Sequence, residues 1–180
     1  MKTVEGVPGP SAWPGAAGPG AAGPSLREPS IDRHEDSLVT RFGPVPLDPD
    51  RQVRFRGGLP GFPRIERFQL EPLPGLESEL MLLQAIEVPD IGFITLPLPV
   101  EDMCVLRSSD VADVTRMLDI DLGELMILAI VTLAQGAAGI ETFLNLRAPL
   151  FIDVRRRMGT QVVLGDPSYP LRHRINAVAA

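Results

Sequence analysis

The feature of this sequence that most constrains its fold is a two-residue alternation between positions 142 and 164. From Thr142 to Leu146, and again from Leu150 to Val154, every second residue is of a type that a strand can bury. A period of two is that of a β-strand with one buried face. Pro149 separates the two runs, because proline has no N–H to contribute to a sheet. We therefore predict two strand segments with an interruption at Ala148-Pro149.

The polar step that follows predicts a turn. Three arginines, Arg155 to Arg157, precede Gly159, and glycine readily adopts the positive φ that tight turns require. Gln161–Leu164 has the composition of a returning strand, which completes a predicted antiparallel meander of three strands. On an acidic protein an arginine triplet at a turn is typical of a solvated tip, and an RNA contact is the less favoured alternative.

Further strand-like stretches precede this region. They are two short pieces within residues 38–47, broken at Gly43-Pro44, then Gln52–Phe55, Arg64–Leu70, Leu80–Ile86, Ile91–Leu98 and Leu125–Leu133. Leu80–Ile86 and Ile91–Leu98 predict a hairpin of buried strands. Leu125–Leu133 is too short to span a membrane and fits a fully buried central strand.

Two features within these stretches have both a chemical and a structural interpretation. Gly57–Pro63 is rich in glycine, but no Lys-Ser/Thr pair follows it. A turn with Leu59 and Phe62 packed inward is therefore favoured over a phosphate cradle. Gln84 lies in an apolar run, where an unpaired buried amide costs ~1–3 kcal/mol. We expect Gln84 to be hydrogen-bonded and structural rather than catalytic.

One segment has the pattern of an amphipathic helix and lies within a run of acids. Asp110–Leu118 carries an apolar residue every three or four positions, behind a predicted cap at Ser109 or Asp110. Seven acidic residues lie between Glu101 and Glu124, and only two arginines oppose them. Such a run is typical of a solvated face. The alternative is an acidic patch that faces a basic partner.

Composition sets the class and the domain organisation. Proline, glycine and alanine crowd residues 1–37, which cannot bury enough area to offset chain entropy, so we expect a disordered tail there and one domain over residues 38–180. A net charge of −6 argues against a general nucleic-acid binder or an anionic-membrane binder. One cysteine excludes an internal disulfide, and no signal-peptide pattern begins the chain, so a cytoplasmic location is expected.

The predicted fold is mainly β. It is a single antiparallel, strongly curved, barrel-like β domain with one short helix over an opening, preceded by the disordered Pro/Gly/Ala-rich tail.

No set of side chains predicts catalysis or a cofactor. Cys104 and His173 could meet in space, but the acidic surroundings of Cys104 would not stabilise a thiolate. The spacing of Glu101, Asp102 and Asp153 does not support an acid–base pair. Tyr169 is expected either to pack back on the barrel as a hydrogen-bonded cap or to take part in binding.

In sum, the ordered short motifs of the chain resemble those of the flagellar assembly factor FliW family. The motifs are Thr40-Arg41-Phe42-Gly43, Gly58-Leu59-Pro60-Gly61-Phe62, Arg67-Phe68, Leu83-Gln84, Ile130-Val131-Thr132, Asn145-Leu146-x-Ala148-Pro149, Arg157-x-Gly159-x-Gln161-x-x-Leu164 and Tyr169-Pro170-Leu171-Arg172-His173. They cover nearly all of residues 38–175. The chain departs from the family at Leu80-Met81-Leu82, where a proline and an aromatic are usual, and in its tail.

The resemblance implies a small β-barrel-like protein without enzymatic activity or cofactor, which binds two cytoplasmic partners, flagellin and the RNA-binding translational repressor CsrA. It implies no direct contact with nucleic acid or membrane. By sequestering CsrA, such a protein would release translation of flagellin messenger RNA, and flagellin binding would restore repression.

Partner-binding residues are expected from matching positions and from exposure: Asp113, Asp119, Asp121, Asn145, Arg147, Tyr169, Arg172 and His173. One alternative is a small-molecule-binding β-barrel or an unrecognised enzyme, with a deep polar pocket around Gln84 or Tyr169. Another is a scaffold whose flagellin contact alone matters.

Overall fold

The computed structural model describes residues 37–74, 79–99, 105–137 and 139–175. The predicted tail lies outside these ranges except for Ser37, which belongs to the first strand. Glu101, Asp102 and Cys104 also lie outside them. Among the described residues, no helix is long and apolar enough to cross a membrane.

The described chain is mainly β, as predicted. The strands are β1 (Ser37–Thr40), β2 (Gly43–Pro46), β3 (Gln52–Phe55), β4 (Arg67–Pro72), β5 (Met81–Ala85), β6 (Gly92–Leu98), β7 (Leu125–Gly136), β8 (Gly139–Leu144), β9 (Leu150–Asp153), β10 (Met158–Gln161) and β11 (His173–Ile175). The α-helix α1 spans Ser108–Leu118, and 3-10 turns occupy Pro49–Arg51 and Leu122–Glu124.

The predicted barrel-like curvature is confirmed by the strand pairing. Seven strands follow one another in the order β7, β6, β5, β4, β3, β10 and β9, and β9 pairs back onto β7. The predicted hairpin is β5 and β6, with Leu83 opposite Phe93. One pair departs from the antiparallel prediction, because β10 runs parallel to β3 with Gly159 opposite Phe55.

The predicted three-strand meander is wrong in one respect, since β8 and β9 do not pair with each other. Both run antiparallel along the same edge of the long strand β7: β8 pairs with its second half and β9 with its first half. Residues 145–149 connect them, with Leu146, Ala148 and Pro149 buried. The Asn145 side-chain oxygen accepts the N–H groups of Arg147 and Ala148, both at 3.1 Å. The interruption at Pro149 therefore divides one continuous edge.

The predicted role of Gly159 in the turn after β9 is also wrong. Arg157 holds the positive φ there, at 54°, whereas Gly159 already lies in β10. A Cβ on Gly159 would lie 2.5 Å from Cε1 and Cζ of the Phe55 ring. Glycine is needed at this position because β10 passes close to the buried Phe55 ring. The strand β10 also begins three residues earlier than the predicted returning strand Gln161–Leu164.

The barrel wall is buried on both sides. On β9, Leu150 and Ile152 belong to the cluster inside the barrel, whereas Phe151 belongs to a second cluster outside it, together with residues of α1. Strands buried on both faces read as nearly continuous apolar runs rather than clean alternations. This is why Phe151, which faces away from Leu150 and Ile152, is also apolar.

The packing predicted for Leu59 and Phe62 is confirmed, and the hydrogen bonding predicted for Gln84 is confirmed for its amide nitrogen. Leu59 is buried, and the half-buried Phe62 ring packs edge-on against Phe93 with centroids 5.5 Å apart. The fully buried Gln84 donates from its amide nitrogen to the carbonyls of Pro89 (2.8 Å) and Ile91 (2.9 Å). Within the described chain its side-chain oxygen accepts no hydrogen bond.

Candidate partner-binding surface

The helix α1 lies on the outside of the barrel and presents its polar side to solvent. Val111 and Val114 are buried in the outer cluster, as the apolar spacing predicts. Asp113 and Arg116 point outward and form an ion pair at 2.8 Å, with Asp113 72% exposed at its side chain. The helix therefore covers an apolar part of the barrel with one side and exposes charge with the other.

The start of α1 is not capped as predicted. The N-cap residue is Arg107, and no side chain of its own neighbourhood caps the helix. Instead, the backbone N–H of Arg107 donates to the Tyr169 hydroxyl at 2.9 Å, and that hydroxyl donates to Asp110 Oδ2 at 2.5 Å. Burial, followed by the hydrogen bond to Asp110, raises the pKa of Tyr169. Tyr169 thus has the packed, hydrogen-bonded role.

The end of α1 is held by Arg156, the middle residue of the arginine triplet. Asp119 ends the helix in the left-handed conformation (φ 54°, ψ 49°). Arg156 donates to the Asp119 carbonyl oxygen at 2.6 Å and to its carboxylate at 3.0 Å. Arg157 donates to Asp50, whereas Arg155 has no ion pair within the described residues. The triplet is therefore only partly a solvated tip.

We define the acidic helix surface as α1 with the 3-10 turn that follows it, exposing Asp113, Asp119 and Asp121. The Asp121 carboxylate also accepts the Gly123 N–H at 3.0 Å, which caps the 3-10 turn. From residue 105 to residue 124, five carboxylates face two arginines. Arg116 pairs with Asp113 and Arg156 pairs with Asp119, whereas the exposed Asp121 forms no ion pair among the described residues. The field of the remaining negative charge is screened over about 8 Å at physiological salt.

The remaining predicted residues lie around the C-terminal segment. Asn145 caps the connection between β8 and β9, and Arg147 donates to the backbone oxygen of Asp166 at 2.6 Å. The exposed Arg172 guanidinium lies 4.3 Å from the centre of the Phe143 ring, and the exposed His173 starts β11. Three of the predicted residues therefore lie on the acidic helix surface, and Arg172 and His173 are exposed on the C-terminal segment. The others, Asn145, Arg147 and Tyr169, are engaged in the hydrogen bonds given above.

The ion pair of Arg107 and Asp166, which ties the start of α1 to the C-terminal segment, was not singled out from the sequence. Arg107 forms an ion pair with Asp166, whose pKa is lowered by the N–H and hydroxyl of Ser168 and by that guanidinium. Asp110 receives the Tyr169 hydroxyl. These partners are 59 residues apart along the chain, so no local pattern could have indicated the pairing.

A shallow cleft of about 420 Å³ lies beside the end of α1. Its lining is Thr115, Arg116, Asp119, Ile120, Asp121, Glu124, Asp153, Arg155 and Arg156. The cleft is polar and open, and neither Gln84 nor Tyr169 lines it. In the part of the chain that the structure describes, no group of three or more His, Cys, Asp or Glu side chains is placed to hold a metal ion.

Comparison with known proteins places this architecture in one family. The family model described as "FliW protein" matches residues 37–175. The flagellar assembly factor FliW of Geobacillus sp. (strain WCH70) is 31% identical over 140 residues, which cover 77% of this chain and 94% of that protein. The protein of the same name from Clostridium botulinum (strain Langeland) is 27% identical over 139 residues, 76% of this chain and 94% of that protein.

A solved structure agrees with the sequence comparisons. The crystal structure of the flagellar assembly factor FliW superposes with a TM-score of 0.61 at 27% identity, covering 77% of this chain and 95% of that one. The family model, the relatives and the fold point the same way, and the chain belongs to the FliW family of flagellar assembly factors.

Proposed function

We propose that this chain is a cytoplasmic binding protein, without enzymatic activity, that binds flagellin and antagonises the translational repressor CsrA. Free protein would sequester CsrA and release translation of flagellin messenger RNA, and flagellin would compete for it and restore repression. Membership of a family of flagellar assembly factors supports this proposal, as does the resemblance of the motifs from Thr40 to His173.

The observation that carries the proposal is the exposed negative charge of the acidic helix surface. A repressor that holds RNA phosphates must present cations, so an acidic surface suits it as a partner. An acidic protein docked beside the RNA site repels phosphates even without covering the contacts to bases. The side chains of Asp113 and Asp119 are 72% and 90% exposed but each pairs with an arginine, whereas the exposed Asp121 forms no ion pair among the described residues and is the acid best suited to this role.

The experiment begins with co-purification and competition. Flagellin and CsrA should each form a complex with the chain, and added flagellin should release CsrA. Two exclusive complexes support the proposal. If CsrA is not bound at all, or if flagellin leaves the CsrA complex intact, the proposed regulation is wrong.

The electrostatic part has its own test. In the variant with Asp113, Asp119 and Asp121 all changed to Lys, displacement of RNA from CsrA should be lost. The matched control changes Glu79, Glu87 and Asp90 to Lys. It alters net charge equally at a site in and beside the β5–β6 hairpin, away from α1. If the first variant still binds CsrA and displaces RNA as well as the unmodified chain, the electrostatic argument is refuted.

A further inference from the structure

The start of α1 carries a capping arrangement that a distant part of the chain completes. In a capping box, the side chain of the third helical residue accepts the N–H of the N-cap residue. The N-cap here is Arg107 and the third helical residue is Asp110. The Tyr169 hydroxyl stands between them, accepting the Arg107 N–H at 2.9 Å and donating to Asp110 Oδ2 at 2.5 Å. A hydroxyl can do both at once, because it has one donor and two acceptor lone pairs.

The segment that carries Tyr169 is held by the same end of the helix. The Arg107 guanidinium contacts the Asp166 carboxylate, donates to Ser168 Oγ at 3.3 Å and lies 5.8 Å from the Tyr169 ring centre. Arg147 fixes the Asp166 backbone oxygen from the other side at 2.6 Å. Tyr169 is only 7% exposed, so water competes little for these bonds.

We propose that Tyr169 is a positioning residue that completes the N-terminal cap of α1, so that the first turn of the helix, which leads into the acidic helix surface, is ordered only while the segment Asp166–Tyr169 is docked. The cap is tertiary rather than local, and the C-terminal segment therefore controls the start of the helix. The consequence for partner binding rests on the proposed function. The capping itself does not.

Hydrogen exchange in the free protein tests the capping. In Tyr169→Phe the ring remains but the hydroxyl is lost, and we expect the hydrogen-bonded backbone N–H groups of Arg107, Asp110 and Val111 to exchange on the order of tenfold faster. The N–H groups of the barrel strands β5 and β7 should keep their rates, which shows that the barrel is intact. Exchange at the start of α1 within twofold of the unmodified chain would overturn the proposal.

A double-mutant cycle separates capping from general loosening. Asp110→Ala removes the acceptor of the Tyr169 hydroxyl, and Asp113→Ala removes one charge from the same helix without touching Tyr169. Combined with Tyr169→Phe, Asp110→Ala should add little to the exchange rate, whereas the effect of Asp113→Ala should multiply with it. Equal behaviour of the two aspartate variants would contradict a Tyr169–Asp110 link.

The affinity for the basic partner, and the dependence of that affinity on salt, test whether the cap matters for binding. Tyr169→Phe removes no charge, so affinity should fall several-fold while the salt dependence of binding stays unchanged. Asp113→Ala should reduce that salt dependence. If the helix loosens but affinity is unaffected, the capping stands, and the assignment of the acidic helix surface to that partner falls.

Discussion

Closure of the barrel at β10 can be tested by Gly159→Ala. Gly159 lies opposite Phe55 in the parallel pair that joins β10 to β3. A Cβ there would be 2.5 Å from Cε1 and Cζ of Phe55 and 3.0 Å from Cδ1. Ordinary contact begins near 3.4 Å, so the ring would have to move by about 1 Å.

The size of the destabilisation follows from the tight packing around the Phe55 ring. Phe55 is 1% exposed and packs edge-on against Phe68, with ring centroids 5.4 Å apart. Overpacking of a filled core costs ~1–3 kcal/mol, and an off-rotamer ring adds about 0.5–1.5 kcal/mol. We therefore expect Gly159→Ala to lower the free energy of unfolding by about 2–4 kcal/mol.

Urea denaturation followed by circular dichroism measures this loss as a lower midpoint at unchanged slope. The control is Gly165→Ala, because Gly165 has no neighbour within 4 Å of a Cβ, so the change should stay within about 0.5 kcal/mol. Phe55→Leu should rescue part of the loss in the double variant. A loss below about 0.5 kcal/mol in Gly159→Ala would refute the steric argument.

Three further changes test other parts of the structure. Gln84→Ala should lower the free energy of unfolding by about 2–4 kcal/mol in urea denaturation, since it opens a cavity and leaves the carbonyls of Pro89 and Ile91 without the Gln84 donor. The control Gln135→Ala, at an exposed position, should change it by no more than about 0.5 kcal/mol. Equal costs would contradict the buried role of Gln84. Asp119→Gly should be more stable than Asp119→Ala by about 1 kcal/mol in the same assay, because both lose the ion pair to Arg156 but only glycine accepts φ 54° without strain. An alanine variant as stable as the glycine variant would argue against that backbone strain. The pKa of Asp166 is lowered in the folded chain, so its stabilisation is present above the ordinary value of 3.8 and is lost as pH falls through the lower folded value. Asp166→Asn should therefore show a shallower loss of stability on acidification, and parallel pH profiles of the two proteins would exclude this contribution.

Much of the local structure was predictable because it depends on neighbouring residues. Gln52–Phe55 is a strand with the predicted bounds, and the hairpin of β5 and β6 follows from two apolar runs around a proline turn. The buried stripe of α1 follows from its apolar spacing. The bounds of α1 differ by two residues at its start, because the residue that completes its cap is far away in the sequence.

The candidate site was predictable only in part. The acidic run marked Asp113, Asp119 and Asp121, and all three are exposed. Asp110 was predicted only as a possible cap, and the pattern could not indicate that it is half-buried and receives the Tyr169 hydroxyl. A sequence records the number of charges in a segment, whereas burial and pairing depend on what packs against it.

The sequence by itself determined the β class, the amphipathic helix α1 and the ordered motifs, since period, turn residues and composition act over a few positions. Tertiary structure alone decided that β8 and β9 share one edge of β7, that Gly159 makes room for Phe55 and that Tyr169 completes the cap of α1. Each of these depends on contacts between residues remote along the chain, which form only when the barrel closes.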